Sequence, residues 1–316
     1  FARMYAAGCQ YVVMEVSSHA IALDRIGGVH YTVAAFTNLT EDHLDFHGTM
    51  DAYCDTKAEL FARCDHAVIN VDDPYAGRMM ARAGCPVLTV AEHRDAMLKA
   101  EQVELHATGV AFTAGNVEIE VPIPGRFTVY NALTVLGCAR ELGISLEDCA
   151  ASLRNAAGVK GRIEVVPTPG MPYTVLIDYA HTPDGLDNVL SSVRDFCKGR
   201  LISVFGCGGD RDRTKRPIMG GIAARLADFS IVTSDNPRTE EPMAIIDDIL
   251  EGMKGCTAYA VEPDRVKAIH YAMDHAQPGD VIVLAGKGHE DYQEINHQHF
   301  HMDEREIVAQ HLKEMR

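Results

Sequence analysis

The residues best suited to chemistry follow a short apolar stretch, 229–233, in the second half of the chain. Phe-Ser-Ile-Val-Thr favours a β-strand, and Pro237 soon ends it, because proline cannot donate to a strand ladder. Asp235, Asn236 and Arg238 therefore lie just past the carboxyl end of a strand. This group suits a zwitterion, with Asp235 binding an ammonium and Arg238 a carboxylate. A capped loop with a surface arginine accounts for the same residues.

Three other motifs with charged and polar residues follow strands in the same half of the chain. We expect strands at residues 173–178, 200–205, 228–233, 257–261 and 280–285. We expect helices near residues 184–196, 216–226, 242–253, 264–275 and 303–314. This alternation predicts a doubly wound, mainly parallel sheet. The three motifs lie at residues 178–184, 206–212 and 286–290.

Parallel strands bring their carboxyl ends to one edge of the sheet, and open α/β sheets bind ligands at that edge. The three motifs and the 235–238 stretch should therefore share one rim. Residues 286–290, Gly-Lys-Gly-His-Glu, can also cradle an anion through backbone N–H groups. The convergence of these motifs favours a binding site over a capped loop.

The first half of the chain carries a second group of reactive side chains. Residues 11–17 are apolar around Glu15, and we expect a buried strand there. A carboxylate in such a strand needs either a metal or a local partner to offset its burial. A strand at 31–37 then leads into residues 38–48, which are dense in acids and histidines and include His43.

A lysine on the next helix points to the same region. We expect a helix over residues 49–64, on which Lys57 lies at helical spacing from Tyr53 and Phe61 and so faces inward. The lysine either snorkels along the apolar face or belongs to the acid–histidine site.

The remaining elements of the first half are strands and helices that surround these groups. They are strands at 66–71 and 86–90, hairpins within 103–124, a helix after residue 127 that carries Asn131, and a helix over 145–155 that begins with a Ser-x-x-Asp cap. Residues 156–161 have the composition of a linker. We therefore divide the chain into domains of residues 1–157 and 158–316.

Composition excludes several classes of protein. Of the 316 residues, 47% are hydrophobic and 23% are charged, which is typical of a globular protein, and no apolar run predicts membrane insertion. The nine cysteines form no C-x-x-C pair, which favours reduced thiols and a cytoplasmic setting. A net charge of −16 argues against nucleic-acid binding.

Several familiar motifs are also excluded. The dinucleotide fingerprint fails because Arg211 occupies its third glycine position, and no G-x4-G-K-[ST] phosphate loop occurs. There is no H-E-x-x-H zinc motif and no G-x-S-x-G elbow. The residues alone thus predict a two-domain α/β enzyme with a metal-capable acid–histidine cluster and an anion-binding rim.

In their order along the chain, these motifs together resemble the Mur ligases, which form amide bonds during peptidoglycan synthesis. The resemblance rests on residues 15–19, 37–45, Lys57, Asn131, 178–183, 206–212, 235–238 and 286–290. It implies part of a central ATP-binding domain followed by a Rossmann-like C-terminal domain. Since the family's N-terminal domain and phosphate loop are not found, we expect a fragment that does not turn over alone.

The resemblance is strongest to members that use 2,6-diaminopimelate. It implies an ATP-dependent ligase that adds meso-diaminopimelate to UDP-N-acetylmuramoyl-L-alanyl-D-glutamate. The carboxylate that accepts the amine is activated as an acyl phosphate, and Mg²⁺ neutralises the phosphate charge. The implied cofactors are ATP and Mg²⁺.

The resemblance also implies roles for individual residues. Glu15, His43 and Lys57 match the catalytic metal site, with Lys57 at the position that the family carbamylates. Ser17 and Arg25 match contacts to the uridine nucleotide, and Asn131, Arg162 and Asp178 match contacts to ATP. The diaminopimelate site is matched by Arg211, Asp235, Asn236, Pro237, Arg238, Gly286 and Glu290.

Diaminopimelate carries a second amino-acid head that lysine lacks. Arg238 can pair bidentately with its distal carboxylate, and Glu290 with its distal ammonium. The Asp-Asn-Pro-Arg sequence therefore argues against a lysine-adding Mur ligase and against a folylpolyglutamate synthetase-like enzyme. A non-catalytic ligand-binding protein and a metal-dependent hydrolase built on Glu15 and His43 are the alternatives from other classes.

Overall fold

The computed structural model describes residues 1–40 and 43–315. It divides into two compact units. One consists of Phe1–Glu101 and Tyr130–Cys149, and the other of Gln102–Val129 and Ala150–Arg316. Residues 102–129 thus group with the C-terminal part, and the domain boundary after residue 157 stays a prediction.

The first unit contains a four-stranded parallel sheet in the order β1-β2-β3-β4. Its strands are β1 (Tyr31–Phe36), β2 (Cys64–Asn70), β3 (Val87–Ala91) and β4 (Leu98–Lys99). The middle of β2 is fully buried, as expected for a strand covered on both faces. Phe36, Phe61, Ile69 and Met79 belong to its core.

The first half contains several helices, among them those predicted at 49–64, after residue 127 and at 145–155. They are α1 (Ala2–Ala6), α2 (Ser18–Ala22), α3 (Leu44–His47), α4 (Met50–Ala58), a 3-10 turn (Glu59–Ala62), α5 (Ala76–Arg82), α6 (Phe127–Glu141) and α7 (Leu146–Leu153). Thr49 caps α4 by accepting from the N–H of Ala52 at 3.2 Å. At the start of α7, the Ser145 Oγ lies 2.6 Å from a carboxylate oxygen of Asp148 and accepts from its N–H at 3.1 Å, as the predicted cap requires.

The predicted buried strand at 11–17 is wrong. These residues have no regular secondary structure, and Val13 is 99% exposed. A strand persists only where a neighbouring strand supplies hydrogen-bond partners, and none of the described strands pairs with this segment. Glu15 is accordingly exposed rather than buried.

The second unit is built on a six-stranded sheet in the order β12-β11-β10-β13-β9-β8. Its strands are β8 (Glu164–Val166), β9 (Thr174–Asp178), β10 (Leu201–Phe205), β11 (Phe229–Val232), β12 (Tyr259–Val261) and β13 (Val281–Ala285). All pair in parallel except the edge strand β8, which is antiparallel to β9. The predicted parallel sheet is confirmed, and β8 is an addition that the sequence did not predict.

Helices cover both faces of this sheet. They are α8 (Pro183–Arg194), α9 (Lys215–Leu226), α10 (Pro242–Leu250), α11 (Arg265–Asp274) and α12 (Glu304–Glu314). Residues from α8, α9 and α10 pack in one core with Phe205 and Val232. Residues from α11 and α12 pack in the other with Val204 and Ile231. Neighbouring strand residues thus point to opposite cores, which defines a doubly wound fold.

Antiparallel strands complete the described structure. The predicted hairpins form a three-stranded sheet of β5 (Glu101–His106), β6 (Gly109–Ala114) and β7 (Val117–Val121). A further hairpin, β14 (Tyr292–Ile295) and β15 (Gln298–His301), was not predicted. Within the described ranges, no helix is long and apolar enough to cross a membrane.

Candidate functional site

The predicted convergence of motifs in the second unit is confirmed by its strand order. The strands β11, β10, β13 and β9 are neighbours and parallel, so the segments that follow them meet at one edge. We call this edge the rim and define it as residues 178–184, 206–212, 233–238 and 286–290.

Glycines allow the rim segments to touch. A Cβ on Gly206 would lie 2.2 Å from the carbonyl oxygen of Thr233, so only glycine fits there. The N–H of Gly286 donates to the Asp178 carbonyl at 3.0 Å, and the N–H of Gly209 donates to the Asn236 carbonyl at 2.9 Å. The motifs that look separate in sequence therefore form one hydrogen-bonded surface.

Asp235 is the most informative residue of the rim. Its side chain is 7% exposed, and its Oδ1 accepts from the N–H of Asn236 at 2.6 Å. Its Oδ2 is buried and has no hydrogen-bond partner in the part of the chain that the structure describes. A buried carboxylate oxygen without a partner is costly, which is the arrangement expected where a cationic ligand group completes the site.

Arg238 is held in an uncommon backbone conformation, with φ of +50°. Its Nε donates to Glu294 Oε2 at 2.8 Å, and its Nη1 donates to the Gly209 carbonyl at 2.8 Å. The side chain is 18% exposed. Since a guanidinium carries further N–H groups, Arg238 can bind a carboxylate while it keeps both contacts.

Glu290 and Asn236 are joined by a lysine that the sequence analysis did not assign to the site. The wholly buried Lys287 donates to Asn236 Oδ1 at 2.6 Å and to Glu290 Oε2 at 3.1 Å. Asn236 Nδ2 also donates to Glu290 Oε2, at 3.0 Å. A lysine inside a glycine-rich loop was the one signal that could have found it.

Two buried arginines lie behind the rim, and neither was predicted to belong to the site. Arg265 donates to Glu304 Oε1 at 2.8 Å and to the Ala285 carbonyl at 2.9 Å, and neither side chain of this pair is exposed. Arg265 is the first residue of α11, and its neighbours in the sequence do not indicate that its side chain is buried.

The second buried arginine, Arg216, lies beneath the 206–212 loop. It pairs with Glu240 at 2.7 Å and with Asp248 at 2.8 Å, and its side chain is 0% exposed. Its hydrogen bonds lower the pKa of the Glu240 carboxyl from 4.5 to about 2. Glu240 therefore stays ionised at all ordinary pH values and balances the buried guanidinium.

Asp178 and Arg162 lie together at the β9 end of the rim. Asp178 accepts from the N–H groups of Ile163 at 2.8 Å and Ala180 at 2.9 Å. Burial raises the pKa of its carboxyl, and these donors and the Arg162 charge offset part of that rise. The Arg162 guanidinium lies 5.7 Å from the Tyr179 ring centre.

The other predicted rim residues differ in burial. Pro237 is buried, and its carbonyl oxygen would lie 2.0 Å from a Cβ on Gly209. Arg211 is exposed on the 206–212 loop.

In the first unit, aromatic and histidine rings bring two of the predicted metal-site residues into one neighbourhood. The ring centres of His43 and Tyr53 are 6.0 Å apart, and Lys57 Nζ lies 5.5 Å from the Tyr53 ring centre. His47 stacks on Tyr53 at 5.0 Å, and burial together with His19 and His43 lowers the pKa of its imidazole.

The metal site at Glu15, His43 and Lys57 stays a prediction. Glu15 lies on the exposed irregular segment, and within residues 1–40 and 43–315 no group of three or more His, Cys, Asp or Glu side chains can hold a metal ion. Asp42, part of the motif behind the resemblance, lies outside the described residues.

The remaining predicted residues of the first unit are at its surface or at a helix start. Ser17 caps α2 by accepting from the Ala20 N–H at 3.2 Å. Arg25 and Asn131 are exposed, with Asn131 on α6.

Taken together, the fold and the rim define an α/β protein with buried, charged groups at the carboxyl edge of its parallel sheet, where open α/β sheets bind ligands. The model of the Mur ligase middle domain matches residues 1–139, and that of the Mur ligase glutamate ligase domain matches residues 161–288. The chain belongs to the Mur ligase family.

Two similar curated relatives carry the name UDP-N-acetylmuramoyl-L-alanyl-D-glutamate–2,6-diaminopimelate ligase. The relative from Clostridium tetani is 50% identical over 322 residues, which covers 100% of this chain and 66% of the relative. The relative from Gloeobacter violaceus is 48% identical, with the same coverage. The chain thus spans about two thirds of the length of these relatives.

A solved structure with the same name is similar throughout. It superposes with a TM-score of 0.80 at 35% sequence identity, covering 98% of this chain and 66% of the solved one. The arrangement of strands and helices is therefore that of a known Mur ligase over nearly the whole chain.

Proposed function

We propose that this chain carries the amino-acid site and part of the ATP site of a ligase that adds meso-diaminopimelate to UDP-N-acetylmuramoyl-L-alanyl-D-glutamate. The proposal takes its substrates from the names of relatives that are 50% and 48% identical. The rim supplies the chemistry for holding a molecule with two amino-acid heads.

The observation that carries the proposal is the unpartnered Oδ2 of Asp235. The free energy needed to bury this oxygen is recovered when an ammonium group binds it. Gly286 leaves the space, since a Cβ there would lie 2.4 Å from this oxygen. Asp235 is therefore the anchor for one amino group of the incoming amino acid.

Arg238 then recognises the distal carboxylate, which lysine lacks, and Glu290 recognises the distal ammonium, which both amino acids carry. Arg238 binds the distal carboxylate through guanidinium N–H groups other than the two that hold Glu294 and Gly209. Glu290 binds the distal ammonium, with its Oε2 held in place by Lys287 and Asn236. These contacts fix the orientation of the amino acid relative to the carboxylate that its amine attacks.

ATP and Mg²⁺ are part of the proposal as the cofactors of the reaction. ATP supplies the phosphoryl group that activates the carboxylate of the UDP-muramoyl dipeptide, and Asn131, Arg162 and Asp178 are the candidate contacts to it. Glu15, His43 and Lys57 are the candidate ligands for Mg²⁺. Ser17 and Arg25 remain candidates for the uridine nucleotide.

The test is phosphate release by the complete gene product with ATP, Mg²⁺ and the UDP-muramoyl dipeptide. We expect release to depend on meso-diaminopimelate and to be far weaker with L-lysine. Replacing Arg238 by alanine should remove this preference, because lysine has no distal carboxylate to lose. An unchanged preference in Arg238→Ala contradicts the assignment.

Two other results identify the alternatives, the second with a separate measurement of amino-acid binding by calorimetry. A preference for lysine in the unchanged protein would indicate a lysine-adding ligase. Binding of the amino acid without any phosphate release would indicate a non-catalytic ligand-binding protein.

A further inference from the structure

The unpredicted β14–β15 hairpin is bonded directly to the 235–238 stretch. The N–H of Arg238 donates to the Glu294 carbonyl at 3.1 Å, and its own carbonyl accepts from the Asn296 N–H at 2.8 Å. This makes a short parallel bridge between Arg238 and Ile295. The backbone of Arg238 is thus fixed from both sides by the hairpin.

This bracing explains how Arg238 keeps its left-handed conformation. A residue other than glycine holds a φ of +50° only where its surroundings enforce it. The bridge to Glu294 and Asn296 supplies that enforcement. It also sets the direction in which the Arg238 side chain leaves the backbone.

Glu294 fixes the guanidinium as well as the backbone. Its Oε2 accepts from Arg238 Nε at 2.8 Å, and the two side chains are only 20% and 18% exposed. The Gly209 carbonyl accepts from Nη1 at 2.8 Å. Two of the three guanidinium nitrogens are therefore held by hydrogen bonds. Within the described ranges no hydrogen bond engages Nη2, which leaves that edge for a ligand.

Glu294 also contacts the amide of the same motif. Its N–H donates to Asn236 Oδ1 at 2.9 Å, next to the contact from Lys287. The neighbouring Gln293 donates through Nε2 to the Asp235 carbonyl at 2.7 Å. Two consecutive residues of β14 therefore hold every polar residue of the Asp-Asn-Pro-Arg sequence.

We propose that Glu294 is a positioning residue that orients Arg238 toward the second carboxylate of the incoming amino acid, and that the hairpin thereby determines substrate selectivity. This inference rests on the proposed function, in which Arg238 binds that carboxylate. A guanidinium whose orientation is fixed before binding loses less conformational entropy when the carboxylate arrives.

A negative charge beside the guanidinium has a second, opposite effect. It repels an incoming carboxylate, so the acceptor oxygen and the charge of Glu294 act in different directions. Glu294→Gln keeps an acceptor oxygen and removes the charge, whereas Glu294→Ala removes both. Glu294→Val is a second loss variant, because valine favours strands and cannot accept a hydrogen bond.

The experiment measures KM and kcat of the complete gene product for meso-diaminopimelate and for L-lysine with saturating ATP, Mg²⁺ and dipeptide. Loss of a hydrogen bond to a charged group predicts that Glu294→Ala and Glu294→Val raise KM for meso-diaminopimelate about tenfold. We expect KM for lysine and both kcat values to be unchanged. Glu294→Gln should keep KM for meso-diaminopimelate at the parent value or below it, because the acceptor oxygen stays and the repulsive charge is removed.

Glu306→Ala is the matched control, since this exposed glutamate pairs with His301 at the end of the same hairpin. A loss of activity toward both amino acids in the Glu294 variants, or no loss at all, overturns the inference. So does a lowered KM in Glu294→Ala, which would make Glu294 a competing charge. If the parent shows no turnover dependent on meso-diaminopimelate, the proposed function itself fails, and the inference fails with it.

Discussion

Gly286 and Asp235 approach so closely that a Cβ on the glycine would lie 2.4 Å from the Asp235 Oδ2. The two residues follow different strands, β13 and β11, that are not direct neighbours in the sheet. The open space beside a buried, unpartnered carboxylate oxygen is therefore produced by the absence of a side chain. Filling that space should change binding without removing any charged group.

Gly286→Ala tests this relationship. The methyl group should occupy the space for the ammonium and raise KM for meso-diaminopimelate by at least about tenfold, the scale of one lost charge-assisted contact. Because Gly286 has a φ of +118°, the variant also carries backbone strain. Gly170→Ala is the control, since Gly170 has a φ of +84° with nothing within 4 Å of its Cβ position. An equal effect of both variants on KM would contradict the steric explanation.

Asp235→Asn should separate binding from stability. The amide cannot attract an ammonium, so we expect KM for the amino acid to rise about tenfold to a hundredfold. The same change removes a buried negative charge whose Oδ2 has no partner, so the variant should unfold at a higher urea concentration than the parent. Urea titration of the 316-residue chain and steady-state kinetics of the complete product measure the two effects. A variant that loses both stability and affinity would indicate a structural role for Asp235.

The elements that could be predicted are those whose residue pattern is visible within a short stretch of sequence. The strands of the six-stranded sheet are continuous apolar runs because helices cover both of their faces, and their alternation with helices fixes the topology. That topology alone placed Asp235 and Glu290 on one rim. The same reasoning failed for residues 11–17, whose apolar character is that of a strand but which have no described strand to pair with.

The features that the sequence missed depend on contacts between distant residues. Arg265 and Glu304 are 39 positions apart, and each looks like an ordinary exposed residue of its own helix. The β14–β15 hairpin is mostly polar, and its few apolar or aromatic residues, Tyr292, Ile295 and Phe300, do not form the regular alternation that marks strands. Its loop did carry a signal, because Asn296 and His297 both have positive φ and asparagine favours that conformation.

Glu240 should contribute to the acid response of the second unit. Its pKa is about 2 in the folded chain and 4.5 for an ordinary glutamate, because Arg216 holds its ionised form. A lowered folded-state pKa gives stability that is fully present above about pH 4.5 and is lost as the pH falls toward 2. We expect the urea midpoint of the parent to fall through this window. In Glu240→Gln the midpoint should be lower at pH 7 and should change less between pH 4.5 and 2; a parallel fall in both proteins would contradict the assignment.

The buried pair of Arg265 and Glu304 should be the most sensitive point in the support of the rim. Neither side chain is exposed, and Arg265 also donates to the Ala285 carbonyl at the end of β13. Glu304→Gln leaves the guanidinium charge buried without a counter-ion, which predicts a loss of about 3 to 5 kcal/mol in the free energy of unfolding. Glu306→Gln, on the exposed side of the same helix, should change it by less than about 0.5 kcal/mol. Urea denaturation of the two variants measures both values, and similar losses in both would show that burial of the pair is not what makes it sensitive.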